Sequence, residues 1–111
     1  MSENVGFAGQ IGPQHVSQVV EKGFKSIINN RPDFEGGPEQ PTSAQMEQAA
    51  REAGLDYVHQ PVIPGQISEL DVRAFAQHYN ELPKPVLMFC RTGNRSNNLY
   101  QLAKQMDLLD D

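Results

Sequence analysis

The segment Pro85-Val86-Leu87-Met88-Phe89-Cys90-Arg91-Thr92-Gly93-Asn94-Arg95-Ser96 carries a strand in its first half and a reactive loop in its second. Val86 to Phe89 is apolar without polar alternation, the pattern of a strand covered on both faces. Pro83 and Pro85 separate it from the preceding amphipathic stretch. Beyond Cys90 lies a short polar loop with Gly93 and the arginines Arg91 and Arg95. A helix is expected from about Ser96, with Leu99, Leu102, Ala103 and Met106 on its inner face.

Working toward the N-terminus, short apolar runs alternate with helical periodicity. Val5 to Ala8 reads as a brief strand, and Pro13 opens a helix whose face is Val16, Val19, Val20 and Gly23. Lys25 to Asn29 reads as a second buried strand. The loop from Asn30 to Pro41 holds too much Pro and Gly for regular structure, and loops of that length are often functional. Thr42 and Gln45 stand at capping-box spacing before a helix with Met46, Ala49, Ala50 and Ala53 inward, ended by Gly54. Leu55 to Val62 contains the next strand, and Ile63-Pro64-Gly65-Gln66 is a turn. A third helix starts near Ser68, with Val72, Phe75, Ala76, Tyr79 and Leu82 inward. Strand and helix thus alternate throughout. The expected fold is α/β, a mostly parallel sheet covered by helices. Parallel strands put their C-terminal ends on one edge, so the Arg31 loop, the Pro61–Gln66 turn and the Cys90 loop should meet there.

Size and charge narrow the function. The chain has 111 residues, enough for one core, and residues 1–111 are expected to form a single domain. Its net charge of -5 argues against nucleic acid as the main partner, although local arginines can still hold a small anion. Met1 to Gly6 lacks the layout of a secretory leader, and no apolar run approaches the roughly 20 residues of a membrane span. The single cysteine cannot form an internal disulfide and is free to act as a thiol in a reducing compartment. A soluble cytoplasmic protein is expected. His15, His59 and His78 show no ligand spacing, so neither a metal nor another cofactor is expected.

The loop's chemistry follows from its residue types. Backbone N–H groups of Arg91, Thr92, Gly93 and Asn94, joined by a helix start, can cradle an anion. The same field lowers a thiol pKa below its free value of ~8.5, making Cys90 a candidate nucleophile. Arg95 presents a planar fork suited to an oxyanion. Ser96 either caps the helix or donates to the Cys90 sulfur as it leaves. Bland readings stand beside these. Cys90 could be a small core residue, Arg91 a solvated charge, and Arg31 an ordinary loop arginine or the partner of Asp33 instead of a screen for substrate charge.

Phe89 to Ser96, together with Ala8-Gly9-Gln10, Asn29 to Asp33 and Tyr57-Val58-His59, resembles a bacterial domain family first described as of unknown function. That family occurs alone or joined to metallo-β-lactamase-like persulfide dioxygenases, the β-lactamase-hydrolase-like proteins. The resemblance covers almost the whole chain. It implies a fold similar to dual-specificity and tyrosine phosphatases, and an activity described either as phosphatase-like or as sulfur transfer. By matching position it implies Cys90 as nucleophile, Arg95 as the anion-binding arginine and Ser96 as the residue after it.

The chain departs from a working phosphatase of that fold. Such enzymes carry His before the Cys, five residues between Cys and Arg, and an upstream Asp as general acid. Here Phe89 precedes Cys90, and only four residues, Arg91 to Asn94, separate it from Arg95. The turn Pro61 to Gln66 contains no carboxylate, and Asp71 falls in the first turns of a helix. Losing a general acid forfeits ~10²–10⁴-fold for an alkoxide leaving group, whereas a thiolate or sulfite needs no such proton. The short loop is also similar to the Cys-Arg-x-Gly-x-Arg form found in rhodaneses, which have an unrelated fold. The expected activity is therefore movement of sulfane sulfur through a Cys90 persulfide, from small anions such as thiosulfate or glutathione persulfide to an acceptor such as sulfite. The alternatives are a cysteine phosphatase and a non-enzymatic persulfide sensor.

Overall fold

The computed structural model describes residues 4–110. The leader reading of Met1, Ser2 and Glu3 therefore lies outside the described residues. The elements are β1 (Val5–Ala8), a 3-10 turn (Pro13–His15), α1 (Val16–Glu21), β2 (Ser26–Asn29), α2 (Ser43–Glu52), β3 (Asp56–His59), α3 (Glu69–Glu81), β4 (Val86–Phe89) and α4 (Asn94–Gln105). The sheet runs β1-β4-β2-β3, and all three pairings are parallel. Uniform hydrophobicity in Val86–Phe89 corresponds to a central strand, paired on both sides and fully buried.

Alternation along the strands sorts their side chains into two cores. Val86, Met88 and Ile28 face Val72, Phe75, Ala76 and Tyr79 of α3 and Leu99, Tyr100 and Ala103 of α4. Leu87, Phe89 and Ile27 face Val16 and Val19 of α1, and Met46 and Ala50 of α2. Phe7, Tyr100 and Tyr79 continue the first core as two edge-to-face ring pairs, with centroids 5.6 and 5.8 Å apart. Among the described residues no helix is long and apolar enough to cross a membrane.

Local signals explain most boundaries. The Thr42 hydroxyl accepts from Gln45 N while the Gln45 side chain accepts from Thr42 N, closing the expected capping box of α2. Ser68 and Asp71 do the same at α3, so Asp71 is spent on a helix terminus. Gly54, at φ +85°, ends α2. Three helical faces differ from expectation, and in α2 the buried residues are Met46 and Ala50, with Ala53 exposed at the C-cap. Val20 is 41% exposed, because α1 is short and only Val16 and Val19 reach the core. In α4 the buried stripe is Ser96, Leu99, Tyr100 and Ala103, while Leu102 and Met106 are each 37% exposed. That stripe has the i, i+3, i+4, i+7 spacing of a helix face, but a polar serine heads it and Tyr100 replaces Leu102.

Candidate active site

The parallel register brings the C-terminal ends of β2, β3 and β4 to one edge, and the expected segments meet there. One cavity of about 290 Å³ is lined by Pro64, Gly65, Ile67, Cys90, Arg91, Thr92, Asn94, Arg95 and Asn98. A second, of about 600 Å³, is lined by Arg31, Glu35, Gly36, Pro64, Arg91 and Arg95.

Cys90 follows directly on β4 and is 1% exposed. Gly93 turns the chain back with φ +93°, a region that disfavours any side chain. A Cβ there would also stand 3.4 Å from the Ala8 carbonyl oxygen of β1. This turn aims the Gly93 N–H at Cys90 Sγ, 3.1 Å away. Burial alone raises a thiol's pKa. Here the Ser96 N–H and hydroxyl, with the Thr92 and Gly93 N–H groups, outweigh it and hold Cys90 below its ordinary value. Gly93 is also the N-cap of α4, which begins at Asn94 and not near Ser96. Ser96 is therefore the third helical residue, so of its two expected roles the cap falls away, and Gly93 stands at the N-cap with no side-chain cap hydrogen bond.

Ser96 is fully buried, and its Oγ lies 2.8 Å from Asn30 Oδ1. Asn30 Nδ2 donates to the Gln60 carbonyl at 3.0 Å, which leaves Oδ1 as an acceptor and makes Ser96 the donor. One hydroxyl proton serves one acceptor at a time. It alternates between Asn30 Oδ1, at 2.8 Å, and the Cys90 sulfur. Asn30 binds much else. Its N–H donates to Phe89 O at 2.9 Å, and its carbonyl accepts from Val62 N at 3.0 Å. Sequence reading assigned it no role, because a buried asparagine after a strand looks like any loop polar residue.

Arg95 occupies the second position of α4, with its side chain 9% exposed. Its Nη1 donates to Val62 O at 2.9 Å and its Nη2 to Glu35 Oε1 at 2.9 Å. Its Nε is buried with no hydrogen-bond partner among the described residues. An orphaned buried guanidinium N–H is costly unless a ligand satisfies it. Arg95 also lines both cavities, beside the loop amides.

Arg31 is buried too, but its partner is Glu35 and not Asp33. Nε to Glu35 Oε1 is 2.9 Å, and Nη1 donates to Gln10 Oε1 at 3.0 Å. Asp33 instead accepts from Ser43 N, beside the start of α2. Glu35 thus bridges two arginines. Burial acts to raise its pKa, yet hydrogen bonds and charge from Arg95 and Arg31 prevail and hold the carboxyl below the usual carboxylate range. The only hint of this pair in sequence is the spacing of Arg31 and Glu35, which Pro32 and Gly36 disguise as loop. Arg91 and Thr92 are exposed at the rim, and Asn94 N donates to Thr92 Oγ1 at 3.3 Å. His59 contacts the Arg31 carbonyl at 2.9 Å, an ordinary satisfied histidine.

A parallel sheet whose central strand delivers a cysteine into an amide-lined loop, with an arginine opening the next helix, is a cysteine-phosphatase-like α/β fold. The solved structure of Tk-PTP shares that fold, with a TM-score of 0.74 over 96% of this chain and 69% of its own, at 17% identity. Residues 1–107 match the family model of the β-lactamase hydrolase-like protein, phosphatase-like domain, and the chain belongs to that family. The β-lactamase hydrolase-like protein of Agrobacterium fabrum is 41% identical over 107 residues, which are 96% of this chain and 25% of the relative. The chain therefore spans about a quarter of the length of the curated relatives it matches. A provisionally assigned phosphatase of Neisseria meningitidis superposes with a TM-score of 0.87 at 34% identity, over 96% of this chain and 75% of its own.

Proposed function

We propose that this chain is a cysteine-dependent sulfurtransferase that carries sulfane sulfur on Cys90. The observation that carries this reading is the state of Glu35. Among the described residues it is the one carboxylate in the lining of the larger cavity, the Cys90 pocket has none, and two arginines hold its carboxyl below the usual carboxylate range. No protonated acid then stands ready for an alkoxide leaving group, whereas sulfite or a thiolate departs without a proton. In the first half-reaction Cys90 thiolate attacks the outer sulfur of thiosulfate. The sulfur–sulfonate bond breaks, and sulfite leaves with the electron pair beside Arg95 and the loop amides. In the second, an acceptor thiolate, sulfite or cyanide attacks the outer sulfur of the Cys90 persulfide, and Cys90 thiolate is released. Ser96 can turn its proton from Asn30 to that departing sulfur. A reducing compartment, as in the cytoplasm, suits a free thiol.

A second reading, hydrolysis of phosphate esters through a Cys90 phosphoenzyme, is favoured by the family's phosphatase-like character and by the Neisseria relative. One experiment separates them. Purified protein is given thiosulfate with cyanide, or an aryl phosphate, as wild type and Cys90→Ser. Cys90-dependent thiocyanate formation and one added sulfur by intact mass are expected. Cys90-dependent phosphate release with no sulfur adduct would make it a phosphatase instead, and an adduct without turnover would make it a sensor.

A further inference from the structure

The cavity beside the Cys90 pocket is larger than an inorganic anion needs and is charged in its own right. It is lined by three guanidinium groups, Arg31, Arg91 and Arg95, against the single carboxylate of Glu35. It shares Pro64, Arg91 and Arg95 with the Cys90 pocket, so the two spaces lie side by side with Arg91 in the lining of both. Arg91 has no side-chain hydrogen bond or ion pair among the described residues, although Arg31 and Arg95 are both engaged. Arg31 is held at the cavity wall by Glu35 and Gln10. Its Nη2 lies where a Cβ on Gly36 would stand only 2.6 Å away, so a side chain at 36 would push it aside. A solvated charge needs no such arrangement. The wall is shaped to leave cationic surface facing a space that the transferred atom does not fill.

We propose that this outer cavity is a second anion subsite, which takes a carboxylate on the same substrate whose reactive head enters the Cys90 loop. The substrate class is thus an organic anion with two separated negative groups: a carboxylate-bearing persulfide or thiosulfonate, in preference to bare thiosulfate. A carboxylate is named because Glu35 already presents one to two guanidinium groups of this wall at 2.9 Å each. Arg91 offers an unused fork of the same kind. This inference rests on the reading that the Cys90 loop binds an anionic head.

The test needs no turnover. Methanesulfonate, sulfoacetate and 3-sulfopropanoate share one head group and differ in the carboxylate and its spacer. Their affinities are read from protection of Cys90 against iodoacetamide. At least one carboxylated sulfonate should protect about tenfold more tightly than methanesulfonate, the gain from one charge-assisted contact. In Arg91→Gln that ratio should fall to near one. Gly36→Ala should reduce it as well, through Arg31, with the Cys90 loop unaltered in sequence. Equal affinities for all three sulfonates, or a ratio that survives Arg91→Gln, would overturn the subsite. Protection by none of them would instead remove the anion site at Cys90, and the subsite with it.

Discussion

At Cys90 two opposed effects meet, burial that favours the neutral thiol and N–H groups that favour the thiolate, and the second prevails. The sign for activity follows. Nucleophilic attack should rise with pH through a midpoint below the ~8.5 of a free thiol and level off above it, and alkylation rate against pH measures it. Cys90→Ser should abolish sulfur uptake altogether, because a serine hydroxyl is not ionised in this range and forms no persulfide. Ser96 separates the two half-reactions. Its proton alternates between Asn30 Oδ1 and the sulfur, and the charge that builds on a departing Cys90 draws it most strongly to sulfur. Ser96→Ala should therefore slow persulfide discharge by ~10–100-fold, the worth of one hydrogen bond to a charged group of about 1.5–3 kcal/mol. Formation of the adduct should change less. Single-turnover kinetics of the two steps decide this, and equal loss in both would mean that the hydroxyl serves the thiolate from the outset.

Gly93 shows how an element depends on one backbone angle. Gly93→Ala places a side chain at φ +93° against the Ala8 carbonyl of β1, which should cost about 1–2 kcal/mol in urea unfolding and misdirect the N–H from the sulfur. Cys90 should then titrate closer to a free thiol. Elements of this kind were readable because their signals are local. The capping box at Thr42, the helix start near Ser68, glycine at the end of α2 and the unbroken apolar run of β4 each depend on a few neighbouring residues. What escaped reading depends on distance. Glu35 meets Arg95 across 60 positions and Ser96 meets Asn30 across 66, and no pattern within a segment announces such pairs. The start of α4 at Asn94, two residues before the expected Ser96, has a related reason. Its cap is a glycine whose backbone turns toward sulfur, so the expected serine cap was unnecessary. The inner face of α4 also followed the leucines on paper, whereas the molecule turns Ser96 and Tyr100 inward to reach Asn30 and Phe7.

For the molecule as a whole, two cores on either side of one thin sheet leave little redundancy. Phe75 is fully buried in the layer between α3 and the sheet, and Phe75→Ala should cost about 3–5 kcal/mol, visible as a lower urea midpoint. Acid should loosen the fold by another route. Glu35 has a depressed folded pKa, so its contribution is complete above the unfolded-chain value of ~4.3 and disappears as pH falls through its lower folded value. Glu35→Gln should flatten that part of the stability profile. The strand order has a last consequence. Because β4 lies between β1 and β2, the turn after it is fastened to Ala8, near the beginning of the chain, and to Asn30. A ribosome-bound fragment that has just emerged through residue 96 has the whole motif, yet it lacks most of α4, whose Leu99, Tyr100 and Ala103 close the layer beneath. Such a fragment should hold an ordinary, sluggish sulfhydryl, and the lowered thiol pKa should arise only once α4 has emerged and packed, in one cooperative event.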